Sequence, residues 1–353
     1  MRIEQLQTPA LLVERKTLLR NMAAMNTLLA GSALALRPHY KSHKCAALAR
    51  LQMENGAKGM TCAKLSEAQD LVDAGIEDVL IANQIVEPEK LDAVAQLAGK
   101  CRLTVCVDSR ENVLALARAA KHAGTVIHCL IEFEIGMQRC GVTHPEEVLA
   151  LARCIREQEN LAFDGIQAYA GHVSHMVTRR EREDHTRRNR ETLTALLRLL
   201  EENGLPAQIL SGGSTGTAAI KAADGLYNEL QAGSYLFMDA TYRDLGLPFE
   251  NSLFVLTTVV SRRGDLTVVD AGVKTCGVDQ GMPAVRDGQV AQIVASEEHF
   301  QLHGLSVDKK PGEKLMLVPG HCCSTVNLHD RIYVVEDGKV VDRWFITGRG
   351  YGK

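Results

Sequence analysis

Between residues 14 and 235, short β-rich runs alternate with amphipathic helical stretches. This rhythm constrains the fold more than any other feature, because parallel strands need long crossovers and a helix is the usual crossover. The β-rich runs are ALALRPHYKSH, GMTCAK, DVLIAN, RLTVCVD, VIHCLIEFE, FDGIQAYAG, QILSGG and NELQAGSYLF. Stretches such as SEAQDLVDAG, PEKLDAVAQLAG, SRENVLALARAAKHAG and RETLTALLRLLEENG separate them. Gly75 and Gly124 stand just past the last periodic residue, where a glycine ends a helix. The count of strand–helix units predicts an α/β fold of the (β/α)8 TIM-barrel type rather than an open doubly wound sheet.

After residue 245 the texture changes to alternating apolar strands with hairpin signals, RRGD, RDGQ and EDGK, in which a glycine beside an aspartate supplies the positive φ of a tight turn. An all-β domain is expected there. The early run TPALLV reads as a strand for which the barrel pattern has no use. The expected organisation is a barrel over 14–245 and a β domain over 246–353, with residues 1–13 as an added strand. A chain of 353 residues exceeds one ordinary core, which agrees with two domains.

Composition narrows the function. The 40 Lys and Arg against 43 Asp and Glu leave a net charge of −3, so no uniform basic surface exists to neutralise a nucleic-acid backbone. No apolar run approaches the ~20 residues needed to span a bilayer, and the start has no signal-peptide layout. A cytoplasmic protein without membrane or nucleic-acid partners is expected. The ten cysteines are scattered through apolar runs and read as reduced core residues, apart from the adjacent Cys322 and Cys323.

Active sites of such barrels lie at the C-terminal ends of the strands. The first strand run ends RPHYKSHK. In an extended segment Arg37, His39, Lys41 and His43 share one side. Cationic neighbours and desolvation lower an ammonium pKa, which makes a lysine able to form a Schiff base with a carbonyl. The same residues read equally as a basic strand end at a solvated rim. The second signal is LSGGSTGT, residues 210–217, after the seventh strand. It has neither the Walker lysine nor the G-x-G-x-x-G spacing, and is either an anion cradle or a plain turn. Barrel phosphate sites recur after strands seven and eight, and Gly233, Ser234 and Tyr235 follow the eighth.

The third signal is PGHCCSTVNLHD. On an extended segment His321 and Cys323 point the same way, and imidazole with thiolate suits zinc; Cys322, on the opposite face, is the alternative. Two protein ligands would leave open coordination positions, a catalytic arrangement. Arg139, Tyr169, His172 and His175 also stand at strand ends, either in a site or in ordinary loops. The run RREREDHTRRNR, residues 179–190, reads as solvated surface leading into a helix, and GRGYGK as a frayed terminus.

Taken in order, TPALLV, RPHYKSHK, GMQRCGV, YAGH, SGGSTGT, ELQAGSYLFMD, DAGVK and PGHCCSTVN resemble the fold-type III pyridoxal-phosphate enzymes, in the group of D-threonine aldolase, D-serine dehydratase and D-threo-3-hydroxyaspartate dehydratase. The resemblance implies an alanine-racemase-like barrel with a C-terminal β domain, paired in a homodimer whose sites use both subunits. It implies that Lys41 carries pyridoxal 5'-phosphate, that Gly212, Gly213, Ser214, Thr215, Gly233, Ser234 and Tyr235 surround the phosphate, and that Arg139 and Tyr169 lie near the ring. His172 follows in the same turn as Tyr169 and is the expected catalytic partner of Lys41. His321 and Cys323 would hold a divalent metal near the substrate hydroxyl.

The implied reaction is lysis of a β-hydroxy-D-amino acid. Lys41 removes the α-proton, and a Lewis-acid metal assists departure of the β-hydroxyl, giving an oxo acid and ammonia. Deprotonating the hydroxyl instead breaks Cα–Cβ and gives an aldehyde and glycine, with His43, His172 and His175 as proton carriers. The aldolases tend to carry aspartate where this chain has Cys323. Cysteine there is similar to the dehydratases and matches zinc better than manganese or magnesium. The expectation is therefore a zinc-dependent dehydratase of D-serine or 3-hydroxy-D-aspartate, with the D-threonine aldolase reaction as alternative. A racemase, a non-catalytic cofactor carrier and a structural zinc protein are the rivals. A carrier would not need residues 246–353, and a racemase would not need His321 with Cys323.

Overall fold

The first strand of the chain, β1 (Ala10–Glu14), stands apart from the eight that follow it. Those are β2 (Ala35–Leu36), β3 (Met60–Cys62), β4 (Asp78–Ile81), β5 (Arg102–Val107), β6 (Ile127–Glu132), β7 (Leu161–Ala168), β8 (Ile209–Gly212) and β9 (Glu229–Leu230). In this computed structural model, which describes residues 1–350 and 352, they pair in parallel in the order β2-β9-β8-β7-β6-β5-β4-β3. The ladder then closes. His39 bridges Thr61 in parallel, the Lys58 N–H donates to Leu36 O at 2.8 Å, and the Thr61 N–H donates to Pro38 O at 2.9 Å. The eight-stranded barrel expected from the alternation is the fold.

The crossover helices begin and end where local chemistry says they must. In the helix Arg110–Ala123, the Ser109 hydroxyl caps the start by accepting from the Asn112 N–H at 3.2 Å. Gly124 ends it in the left-handed region at φ 67°, where a side chain would be strained. Its apolar stripe, Val113, Leu116, Ala117 and Ala120, is buried. Burying a side chain such as Leu116 stabilises by about 1.5–3 kcal/mol. Pro88 and Pro145 open two other helices at a position whose N–H has no partner to lose. The strands beneath are apolar on both faces, as β5 shows with five of its six residues buried, because helices cover the outside and side chains fill the inside.

Arg37 is a correction to the strand-face reading. Only Ala35 and Leu36 are paired as a strand, and the chain turns at Tyr40–Ser42, so the period-2 rule lapses before Lys41. Arg37 is buried near the N-terminal edge of the barrel. It forks onto Asp78 at 2.9 and 3.1 Å and onto Glu229 at 3.0 Å through two nitrogens. Lys58 adds a 2.6 Å pair to Glu229. Arg37 is therefore a clamp across strand starts and no neighbour of an active lysine.

The barrel belongs to a compact unit made of 26–41 and 48–233; a second unit is made of 1–25, 42–47 and 234–350. The division thus falls at 233/234, upstream of the texture change at 245, and 42–47 goes with the second unit. That unit holds β1 and the strands β10 (Leu253–Arg263), β11 (Leu266–Val269), β12 (Ala284–Val285), β13 (Gln292–Ala295), β14 (Phe300–His303), β15 (Lys314–Val318), β16 (Arg331–Glu336) and β17 (Lys339–Phe345). The sheet path is β13-β14-β11-β10-β1-β16-β17, and β15 pairs with both β10 and β12. Within it β1 runs antiparallel to β10 and parallel to β16.

Three smaller expectations meet the structure differently. EDGK and RRGD do turn hairpins, but RDGQ does not: β12 and β13 pair with other strands, and Gly288 is outside the positive-φ region. The run 179–190 does not precede a helix but forms the first half of Arg179–Glu202. Its Arg182 is buried and donates to Met176 O at 2.6 Å. In the GRGYGK tail, the Gly348 N–H donates to Lys44 O at 2.9 Å and Arg349 pairs with Asp330 at 2.6 Å, so these residues are tied down. Tyr351 and Lys353 lie outside the described residues. No helix among the described residues is long and apolar enough to cross a membrane.

Candidate active site

Within the barrel unit, the segments following β2, β6 and β7 deliver Lys41, Arg139 and Tyr169 to one cavity of about 150 Å3, which His39, Gln167 and Gln231 also line. The Lys41 ammonium lies 5.7 Å from the centre of the Tyr169 ring and the Arg139 guanidinium 5.8 Å from it. The tyrosine ring is thus flanked by two cations. The floor is polar but satisfied: the Gln231 amide donates to Gln167 Oε1 and to Ser211 Oγ, each at 2.9 Å.

Glu132, at the end of β6, is a residue that sequence reasoning missed. It is buried, accepts from Gln84 Nε2 at 2.7 Å, and lies 3.7 Å from Arg139. Burial pushes its carboxyl above the usual range, against the opposing pull of Gln84 and Arg139. Its only signal in the sequence is an acidic residue near the end of the largely apolar strand run VIHCLIEFE.

The loop after β8 fits a phosphate. Gly212 and Gly216 sit where a Cβ would come within 2.2 Å of Ala168 O and 2.1 Å of Ser174 O, so only glycine permits the packing. Thr215 Oγ1 is buried without a hydrogen-bond partner, a cost that a bound anion would remove. The Ser214 hydroxyl is shared with Thr217 Oγ1 at 3.1 Å. Gly233 ends the segment that follows β9. Ser234 and Tyr235 fall in the second unit, in a short 3-10 turn where the Tyr235 ring packs on Phe249 at 5.8 Å.

His172 does not line the Lys41 cavity. It lies against Gly136, and its Nε2 is 3.0 Å from Nε2 of His185, whose Nδ1 is 3.1 Å from the Asn189 amide. Burial and the neighbouring His172 pull the His185 imidazole below its ordinary value. His43 is fully buried in the second unit, with its Nδ1 accepting from the Cys45 N–H at 3.2 Å.

In the second unit, His321 and Cys323 do meet, but not by the extended geometry expected. His321 is the N-cap of a short helix, Cys322–Asn327, and the two side chains hydrogen-bond across its first turn. His321 Nδ1 is 2.7 Å from Asp279 Oδ2, whose other oxygen accepts from the Ser324 hydroxyl. Burial pulls the imidazole down, but Cys323 and Asp279 outweigh it and raise it to about 9. Asp279 takes Nδ1, the arrangement in which a ligating histidine is oriented by a carboxylate while its other ring nitrogen binds the metal. Imidazole, thiol and orienting carboxylate fit zinc. Asp279 was invisible in the sequence, 42 residues away. Cys322 is fully buried, and its proximity to Cys323 together with burial holds its thiol well above the ordinary value. Among the described residues no group of three or more His, Cys, Asp or Glu side chains is arranged to hold a metal ion.

Residues 13–241 match the family model for the alanine racemase N-terminal domain, and residues 252–335 match that for a serine dehydratase domain. The chain is 40% identical to the D-threonine aldolase of an Arthrobacter species over 359 residues, covering 99% of this chain and 95% of the relative. It superposes on the crystal structure of D-threonine aldolase from Filomicrobium marinum with a TM-score of 0.95 and 37% identity, covering 99% and 98% of the two chains. The D-threo-3-hydroxyaspartate dehydratase of Delftia sp. HT23 superposes with a TM-score of 0.90 and 27% identity, covering 99% and 100%.

Proposed function

From the premise that this chain belongs to the fold-type III pyridoxal-phosphate enzymes, the alanine-racemase N-terminal-domain family, we propose that it catalyses retro-aldol cleavage of β-hydroxy-D-amino acids to glycine and an aldehyde. The chain is a pyridoxal-phosphate-dependent lyase. The observation that carries the finer reading is whole-chain likeness: 40% and 37% identity to aldolases against 27% to the dehydratase. That likeness sums over every position, whereas the expectation of dehydration rested on Cys323 alone. Dehydration remains the second reading, favoured by the cysteine beside His321.

Pyridoxal phosphate, when bound, supplies an electron sink for the substrate's α-carbon. Lys41 would hold it, with Tyr169 and Arg139 against its ring and the 212–215 loop, together with Gly233, Ser234 and Tyr235, around its phosphate. Lys41 also delivers a proton to the α-carbon once the Cα–Cβ bond has broken, completing glycine. We assign His172 the proton of the β-hydroxyl, with its ring held by His185. His321 and Cys323 would hold a divalent metal, zinc by donor chemistry, supplying a Lewis acid for the β-oxygen. Asp279 orients His321. A homodimer in the cytoplasm is part of the same proposal, and the ten free cysteines support a reducing compartment.

Incubation with D-threonine and with 3-hydroxy-D-aspartate, followed by product analysis, tests it. Glycine with an aldehyde is the expected outcome, and ammonia with an oxo acid would transfer the assignment to dehydration. Lys41→Ala is expected to abolish both turnover and the yellow absorption; a coloured, active variant would remove Lys41 from its role.

A further inference from the structure

Behind the Gly212–Thr217 loop lies a lysine that none of the roles above uses. Lys221, on the helix Ala218–Asp224, is 5% exposed, and its ammonium sits 3.9 Å from the centre of the Tyr227 ring. Tyr227 is itself buried and fixed, its hydroxyl donating to Ala168 O at 3.0 Å at the end of β7. Both side chains pack directly on the two-glycine backbone. A Cβ at Gly212 would come within 2.8 Å of Tyr227 Cε1, and one at Gly213, whose φ is +73°, within 3.4 Å of Lys221 Cγ. On the same loop, Thr215 Oγ1 is buried and lacks a partner.

The charge on Lys221 is poorly repaid by what surrounds it. A ring face returns only part of the cost of taking an ammonium out of water. Asp224, one turn on, is the acidic group in its field, but Asp224 Oδ1 is taken by Arg190 at 2.6 Å. His185 faces the same small space from the helix Arg179–Glu202 and brings no negative charge. Burial draws the ammonium down to about 8, against the opposing effect of Asp224. A buried cation persists where an anion compensates it, and the nearest backbone shaped for an anion is the loop it supports.

We propose that Lys221 is the buried counter-charge of the phosphate group held on the Gly212–Thr217 loop, acting through the loop rather than by touching the reacting atoms. This rests on the cofactor reading above. It makes Lys221 a positioning residue for a phosphomonoester, with no part in the chemistry at the substrate.

The test compares two probes that differ only in the phosphate. Full-length protein freed of cofactor is titrated with pyridoxal 5'-phosphate and, separately, with pyridoxal, and binding is read from absorbance. Lys221→Met is expected to weaken pyridoxal 5'-phosphate by about tenfold or more, a decade in Kd, and pyridoxal by less than about twofold. Equal weakening of both probes, or of neither, would overturn the assignment. A measurement on the unaltered sequence guards against a variant that does not fold. With 13C-labelled lysine incorporated during expression, the titration midpoint of the Lys221 Cε resonance is expected to rise when inorganic phosphate is added. A midpoint that stays put would overturn the assignment alone, whereas unaltered protein that binds no pyridoxal 5'-phosphate would overturn the cofactor reading with it.

Discussion

At the scale of single residues, the side chains proposed to carry chemistry are held by partners distant in sequence. His321 illustrates this. Its neighbour Cys323 is legible in the motif, but the carboxylate that fixes its ring comes from Asp279 in a loop. Carboxylates that hydrogen-bond the free ring nitrogen of a metal-ligating histidine typically contribute about 10–100-fold in metal affinity. Asp279→Asn is therefore expected to weaken zinc binding by that order, measured by competition with a coloured chelator, while cofactor content is unchanged. Undiminished zinc affinity would mean that Asp279 does not orient the ligand. Arg37, His39, Lys41 and His43 show the opposite failure of reading. Alternation predicts one face, yet two paired residues do not make a lasting strand, and Arg37 is drawn instead to Asp78 and Glu229.

Elements were easier to read than their side-chain details. Gly75 and Gly124 mark helix ends in the sequence because both adopt positive φ, which a side chain would resist. The charged run 179–190 was harder, since mixed signs resemble solvated surface ahead of a helix. Its helix starts at a capping box instead: the Thr178 hydroxyl accepts from the Glu181 N–H at 3.2 Å, and the Glu181 carboxylate accepts from the Thr178 N–H at 3.0 Å. The pattern T-R-R-E was present in the sequence and outweighs the charges after it. Removing the cap by Thr178→Ala is expected to cost about 1 kcal/mol, seen as a lower urea midpoint, with Thr178→Ser retaining most of it. The same helix carries His185 to His172, so its start bears on the site. An unchanged midpoint would show that packing alone sets the start of this helix.

For the whole molecule, the buried Arg37–Glu229 pair, flanked by half-buried Asp78 and exposed Lys58, ties stability to pH. Burial pushes the Glu229 carboxyl up, but Arg37 and Lys58 outweigh it and hold it below its ordinary value. The unfolded chain therefore binds the proton more readily than the folded one. The stabilisation is fully present above the unfolded value of about 4.3 and is lost as pH falls through the lower folded value. Urea unfolding at pH 7, 4 and 3 should show this decline, and Glu229→Gln should start lower at pH 7 and fall less steeply. A variant as acid-sensitive as the parent would place the effect elsewhere.

The seat of β1 between β10 and β16 carries a consequence for biosynthesis. Synthesis delivers Ala10–Glu14 well before Leu253–Arg263, and that strand before Arg331–Glu336, so the early strand must wait for one edge partner and then for the other. Loss of either β1 or β16 would then open the same seam in the sheet, so two segments far apart in sequence share a common fate.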